Sequence, residues 1–326
     1  MRKILPVLWL FALILSACTT AQAQTEQPGD VAITPSETAL PVLPSVTSTT
    51  APGETLQATS TPKATATTKP SATPNYTATP DTRLKPEQWQ IWPVVPEITN
   101  RVYEIYQLGQ DLGNDPHRFT KIGDCQSVRA AMMGLFDVTD SYNLTEETEY
   151  LQETIDWFHG SYNRDGYAVK GGYNAAAVLS PIWADPQVCL PGENPVECEV
   201  RVHKPSFAII SLEIWWEGRT PDRYEEYMRQ IIDYLLEHGV VPILSTKADN
   251  VEGNHAINLI TAELAYEYDL PLWNFWLAVQ PLPNHGLDDT EGRDDGFHIS
   301  YDAWTVRSYT ALMALDSVWK PIHAQE

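Results

Sequence analysis

The sequence predicts an α/β domain in which a mostly parallel sheet lies between two layers of helices. Two runs of consecutive apolar residues, Phe207–Leu212 and Val240–Leu244, are typical of strands that are buried on both faces. Between them lies Thr220–Gly239, which has helical spacing and is long enough for a crossover connection. Strands that alternate with helices of this length indicate a three-layer α/β/α arrangement.

The other elements continue this alternation. Thr220 and Pro221 begin a helix as N-cap and first residue, Gly239 ends it, and Ser300 is placed to cap the last helix. Ligand sites in such sheets lie beyond the carboxyl ends of the strands. The predicted strands are 119–122, 167–170, 207–212, 240–244 and 270–275, and the predicted helices are 97–112, 126–136, 149–159, one from about 174, 220–239, 256–268 and 301–318.

The N-terminus has the features of an export signal. Basic Met1–Lys3 precedes the apolar run Ile4–Leu15, which is too short to span a bilayer comfortably. The sequence Leu15–Cys18 resembles a bacterial lipobox, which implies that residues 1–18 form a signal peptide and that Cys18 carries the lipid. An ordinary signal peptide that contains a cysteine is the alternative. We expect an exported protein that is lipid-anchored at the extracytoplasmic face of the cell membrane.

Composition divides the rest of the chain into a linker and a domain. Residues 19–81 are rich in Thr, Pro, Ser and Ala, which cannot bury enough apolar surface to fold, so we expect a disordered tether. Residues 82–326 are sufficient for one α/β core, which we expect to be monomeric. The chain has a net charge of −22, which argues against nucleic acid as a partner and limits membrane contact to the lipid anchor. A neutral substrate is favoured.

The cysteines separate into a pair and a single residue. Cys189 and Cys198 flank a loop that contains Pro, Gly and Asn, and this spacing in an exported protein favours a disulfide. A metal site is less favoured because no second pair of ligands stands beside it. Neither a metal nor an organic cofactor is implied. Cys125 remains as the odd thiol, which needs its own explanation.

Three residues have the chain order of a hydrolytic triad. Gly123-Asp124-Cys125 follows a predicted strand early in the domain, and Asp295-Gly296-Phe297-His298 lies near the C-terminus. In this interpretation Cys125 is the nucleophile, His298 is its general base and Asp295 orients the imidazole. A helix that begins directly after Cys125 would favour the thiolate. The alternative is an inert, buried cysteine that packs as a small apolar side chain.

These motifs resemble the conserved blocks of the SGNH/GDSL hydrolase superfamily over residues 115–318. The segment 122–125 resembles its Gly-Asp-Ser block, and 295–298 resembles its Asp-x-x-His block. Gly171-Gly172-Tyr173-Asn174 resembles its second block, which implies that the Gly172 amide contributes to an oxyanion hole together with the amide of Cys125. The resemblance also implies a five-stranded, flavodoxin-like sheet.

The sequence departs from the superfamily at two blocks. Cys125 replaces the nucleophilic serine, and Trp215 replaces the third-block asparagine whose side chain completes the oxyanion hole. We expect Asn174 to be a candidate replacement donor. Glu213 is either a second acid/base or a paired structural carboxylate. Trp215 and Trp216 either stack on a sugar ring of the substrate or pack in the core.

The resemblance implies a cell-surface esterase that acts on O-acyl esters, with a small-molecule or glycan ester as its substrate. Two alternatives remain. The first is an O-acyltransferase that passes a thioacyl intermediate to a sugar hydroxyl rather than to water. The second is a catalytically silent, glycan-binding domain, which the two departures favour.

Overall fold

A computed structural model describes residues 81–212 and 220–325 of the chain. They belong to one compact unit, Tyr76–Glu326. The helices are α1 (Asn100–Leu112), α2 (Gln152–Trp157), α3 (Pro195–His203), α4 (Pro221–Glu237), α5 (Ala256–Tyr268), α6 (Phe275–Val279) and α7 (Tyr301–His323). The strands are β1 (Asp115–Gly123), β2 (Pro205–Ser211), β3 (Val241–Ser245) and β4 (Leu272–Trp273). Short 3-10 turns cover Pro86–Ile91, Gly134–Asp137, Glu149–Leu151, Ala177–Leu179, Pro181–Trp183 and Pro283–Gly286.

The four strands form one parallel sheet in the order β1-β2-β3-β4, which confirms the predicted α/β fold class. The strand predicted at 167–170 is reduced to a single parallel bridge between Val169 and Gly123. Since β2 occupies one edge of β1, Val169 lies at the other edge. The resulting order is that of a flavodoxin-like sheet, but with four strands and a bridge where five strands were expected.

Helices cover both faces of this sheet. On one face, Phe207 of β2 stacks on Tyr106 of α1, and Phe158, directly after α2, contacts both Phe207 and Trp319 of α7. On the other face, the Thr120 hydroxyl of β1 donates to Glu199 of α3. Helices α3, α4 and α5 contact one another in sequence order on that side. The three-layer arrangement is therefore present.

Several elements differ from the prediction for local reasons. The helix predicted over 126–136 is wrong: this segment consists of turns, and Met133 takes a positive φ of 64° before a short 3-10 turn. The helix predicted from about 174 is only the 3-10 turn Ala177–Leu179. The strand predicted over 270–275 stops at Trp273 because Asn274 caps α6 instead.

Helix α3 has no counterpart in the prediction, which treated the segment between the two cysteines as a loop. Asn194 caps this helix, Pro195 is its first residue and Glu197 completes a capping box. The disulfide between Cys189 and Cys198 is confirmed, with a Cα–Cα distance of 5.2 Å. It therefore joins the preceding loop to the first turn of α3.

Cys18 and the linker residues up to 80 lie outside the described residues, as do Glu213, Trp215 and Trp216. The roles predicted for these positions therefore stay predictions. Among the helices of residues 81–212 and 220–325, none is both long and apolar enough to cross a membrane.

Candidate active site

The nucleophile candidate lies on a tight turn at the carboxyl end of β1. A Cβ atom at Gly123 would lie 2.1 Å from the Ser127 hydroxyl oxygen, so only glycine lets the turn fold back this closely. The Asp124 carboxylate accepts the backbone N–H of Gln126 at 2.8 Å, which fixes the next step of the turn. Cys125, between these two residues, is half-buried and forms no disulfide.

The second part of the site is a loop before α7. The backbone N–H of Asp288 donates to the carbonyl of His298 at 2.8 Å, and the N–H of Ser300 donates to the carbonyl of Gly286 at 2.9 Å. The Ser300 hydroxyl caps α7 by accepting the N–H of Ala303, as its position predicts. His298 is thereby held between a paired backbone segment and the beginning of a helix.

The structure brings the three residues of the predicted triad into one chain of contacts. Cys125 Sγ lies 3.6 Å from His298 Nε2, and His298 Nδ1 lies 2.6 Å from Asp295 Oδ2. The other carboxylate oxygen of Asp295 accepts the backbone N–H groups of Phe297 and His298 at 3.0 and 2.9 Å. A carboxylate, an imidazole and a thiol in this order have the geometry for proton transfer from sulfur to nitrogen.

The Asp295 carboxylate is charged at neutral pH. Burial acts to raise its pKa, but the backbone N–H groups of His298 and Phe297 and the imidazole itself outweigh burial and lower the pKa to about 2. An ionised Asp295 favours the tautomer of His298 that carries its proton on Nδ1, which leaves Nε2 able to accept a proton from Cys125.

Two residues that the sequence analysis did not single out connect the parts of the site. The Gln126 side-chain amide donates to the carbonyl of Phe297 at 3.2 Å, which joins the nucleophile turn to the histidine loop. Arg307 of α7 is buried, and its guanidinium donates to the Gln126 carbonyl at 2.9 Å and to the Ser211 hydroxyl at 2.7 Å. The sequence shows an arginine seven residues after the predicted cap Ser300, but neither its burial nor its partners could be predicted from that position.

The turn directly before the nucleophile carries a buried acid. Asp124 is 3 % exposed, and burial raises its pKa to about 6, with a further increase from Asp249 and opposing effects from Arg307 and His298. Asp249 follows β3, where the Lys247 ammonium binds it at 2.6 Å. Asp249 therefore acts on Asp124 electrostatically.

The predicted oxyanion turn lies beside the thiol. A Cβ atom at Gly171 would lie 3.8 Å from Cys125 Cβ, and Gly172 has a φ of 85°. Within residues 81–212 and 220–325, the amides of Gly171 and Gly172 donate no hydrogen bond. The Asn174 side-chain oxygen caps the next turn by accepting the N–H groups of Ala176 and Ala177 at 3.0 and 2.9 Å.

Histidine, cysteine, aspartate and glutamate side chains are the candidate metal ligands of this domain. In the part of the chain that the structure describes, one group of possible ligands lies close together: Cys189, Glu193 and Cys198. The two sulfur atoms of this group are joined in the disulfide, so the group has no thiolate to offer a metal. The acidic loop 288–295 instead contains an ion pair between Asp288 and Arg293 at 3.1 Å.

No protein-family profile and no curated protein matches this sequence. Among solved structures, an acetyl xylan esterase is similar at 15 % identity and a TM-score of 0.39, over 60 % of this chain and 97 % of that one. A GDSL-like lipase from Bacteroides thetaiotaomicron is similar at 12 % identity and a TM-score of 0.40, over 69 % of this chain and 98 % of that one. At these TM-scores the similarity supports no conclusion about activity.

Proposed function

We propose that this protein is an ester hydrolase that acts on O-acyl esters through Cys125, His298 and Asp295. One observation carries the proposal: the thiol, imidazole and carboxylate form a continuous chain of contacts, although Cys125 and His298 are 173 residues apart in the sequence. A buried cysteine with only a packing role requires neither an imidazole at its sulfur nor a carboxylate behind that imidazole.

In the proposed reaction His298 Nε2 takes the proton of the Cys125 thiol, and the sulfur attacks the ester carbonyl carbon. The tetrahedral oxyanion that forms is stabilised by backbone amides of the Gly171–Gly172 turn. His298 then gives its proton to the departing alcohol, which leaves a thioacyl enzyme. Water, deprotonated by His298, hydrolyses this thioester, releases the carboxylic acid and returns the thiol.

Acyl esters of carbohydrates are the substrate class that we propose. A net charge of −22 favours a neutral substrate, and in this proposal Trp215 and Trp216 supply aromatic faces on which a sugar ring of the substrate stacks. The lipid anchor at Cys18 and the tether from 19 to 81 would hold the domain at the outer surface, where such glycans are found.

Hydrolysis of 4-nitrophenyl acetate by the full chain in detergent tests the proposal. Cys125→Ala and His298→Ala are expected to lower kcat/KM by at least about 10³-fold, because triad residues act as a unit. Activity that survives in Cys125→Ala would overturn the mechanism. Product analysis with an added sugar acceptor distinguishes hydrolysis from acyl transfer. If the unmodified protein binds glycans but hydrolyses no ester, the catalytically silent binding domain is favoured instead.

A further inference from the structure

Glu199 is a completely buried carboxylate on α3 that lies behind the candidate site. It accepts hydrogen bonds from the Thr120 hydroxyl at 2.6 Å, from both terminal nitrogens of Arg164 at 2.6 and 3.1 Å, and from the backbone N–H of Tyr167 at 2.8 Å. One side chain therefore joins three elements: α3, the strand β1 that leads to the nucleophile, and the loop that leads to Gly171.

The loop is bound to β1 a second time, immediately after Tyr167. The N–H of Gly123 donates to the carbonyl of Ala168 at 3.0 Å, and the N–H of Lys170 donates to the carbonyl of Gly123 at 3.3 Å. Gly171, the next residue, then lies against Cys125. The path from the carboxylate to the oxyanion turn is short, and hydrogen bonds hold the loop at Tyr167, Ala168 and Lys170.

The backbone of the loop that leads to Gly171 lies directly against the Glu199 carboxylate at Gly166. A Cβ atom at Gly166 would lie 2.6 Å from a carboxylate oxygen of Glu199, so a larger residue there would have to displace the carboxylate. Burial acts to raise the pKa of Glu199, but the Arg164 guanidinium and the Thr120 hydroxyl outweigh it and lower the pKa. The carboxylate is therefore charged, and its hydrogen bonds are of the stronger, charge-assisted kind.

We propose that Glu199 is a positioning residue that sets the separation between the Gly171–Gly172 amides and Cys125. This inference rests on the proposed function, because those amides matter only if an oxyanion forms there. A displacement of about 1 Å at a reacting centre costs on the order of 10²-fold in rate. Glu199 acts through the loop and does not touch the substrate.

Glu199→Gln is the variant that tests this role with the smallest change of shape. The neutral amide has one NH2 group in place of an acceptor oxygen, and that group must point at a donor, Arg164 or the N–H of Tyr167. One buried donor is left without its partner, and the loop relaxes away from β1. Thr120→Val is the second variant, because it removes one hydrogen bond and keeps the charge of Glu199.

Two rates measured on each variant distinguish positioning from general damage. The first is turnover of 4-nitrophenyl acetate, which needs the oxyanion amides. The second is alkylation of Cys125 by iodoacetamide, which displaces iodide without forming an oxyanion and depends on the thiol and His298. We expect Glu199→Gln to lower kcat by about 10- to 100-fold, with KM and the alkylation rate within about threefold of the unmodified protein.

Glu267→Gln is the matched control, since Glu267 pairs with Arg229 on the helices α4 and α5 and lies outside the proposed site. Thr120→Val is expected to lower kcat by about 3- to 10-fold and carries the test if Glu199→Gln does not fold. The assignment is overturned if kcat of the folded variants stays within about twofold of the control, or if alkylation falls as much as turnover. Absence of turnover in the unmodified protein would overturn the proposed function instead, whatever the variants show.

Discussion

Asp124 directly precedes the nucleophile candidate, and the burial of its charged carboxylate lowers the free energy of unfolding at neutral pH. Its pKa of about 6 lies above the ordinary value of 3.8, so the folded protein binds the proton more tightly than the unfolded chain. The contribution of Asp124 to the free energy of unfolding therefore falls as the pH rises from about 4 to 6, by up to about 3 kcal/mol, and stays lower above that range. Asp295, with its lowered pKa, acts in the opposite direction and stabilises the fold less as the pH falls from about 4 to 2.

Asp124→Asn tests whether the buried charge destabilises the fold, because asparagine keeps the oxygen that accepts the N–H of Gln126 and removes the charge. We expect the free energy of unfolding to rise by about 1–3 kcal/mol at pH 7.5 and by well under 1 kcal/mol at pH 4, where Asp124 is protonated in the folded protein and close to half protonated in the unfolded chain. Urea denaturation at the two pH values provides the measurement. An equal change at both would show that packing, and not charge, is responsible.

At the scale of elements, alanine substitutions at Gly172 and Gly160 distinguish an effect on activity from an effect on stability. Gly172 has a φ of 85° and no atom within 4 Å of the position that a Cβ would take, and Gly160 has a φ of 93° with equally open space. Alanine at either position is expected to lower the free energy of unfolding by about 1–2 kcal/mol, because an L-residue is strained there.

Only Gly172 lies in the turn beside Cys125, so Gly172→Ala is expected to lower kcat by about 10-fold or more while Gly160→Ala leaves it unchanged. Gly160→Ala is thus the control for the loss of stability. Parallel measurements of kcat and of urea denaturation test the pair. Equal kcat values for the two variants would remove the Gly171–Gly172 turn from the proposed oxyanion site.

The disulfide that joins α3 to the loop before it gives a second prediction at this scale. Cys189 and Cys198 are separated by nine positions, and the loop that they close reduces the entropy of the unfolded chain. Replacing both by alanine is expected to lower the free energy of unfolding by about 2–3 kcal/mol, and dithiothreitol should do the same to the unmodified protein. The Cys125→Ala variant should respond to dithiothreitol as the unmodified protein does. If it does not, the effect of the reductant arises at Cys125.

At the scale of the whole molecule, the sequence predicted the parallel sheet because buried strands such as Phe207–Leu212 carry a continuous apolar signal. It also predicted the contact between Cys125 and His298, because the two residues lie in motifs that have the chain order of a hydrolytic triad. The turns after Cys125 were not predictable, because a buried arginine 181 residues away holds them through the Gln126 carbonyl. Helix α3 was missed because the two cysteines favoured a loop, although Asn194 and Glu197 already formed a capping signal.

Net charge is the property of the whole molecule that bears on substrate choice. Residues 1–81 carry four basic and five acidic side chains, so nearly all of the charge of −22 belongs to residues 82–326. At an ionic strength of about 0.01 M such a field extends for about 30 Å and repels an anionic ester before it reaches the cleft, whereas at about 0.15 M it extends for about 8 Å.

The rate of hydrolysis should therefore depend on salt only when the substrate is charged. For the anionic monoester of succinic acid with 4-nitrophenol, we expect kcat/KM to rise about 3- to 10-fold between about 0.01 and 0.15 M salt. For neutral 4-nitrophenyl acetate, kcat/KM should stay within about twofold, which controls for effects of salt on the protein itself. A parallel rise for both esters would mean that salt acts on the fold or the triad. A fall for the anionic ester alone would mean that a local cation, such as Arg307 or Lys247, outweighs the field of the whole domain at the site.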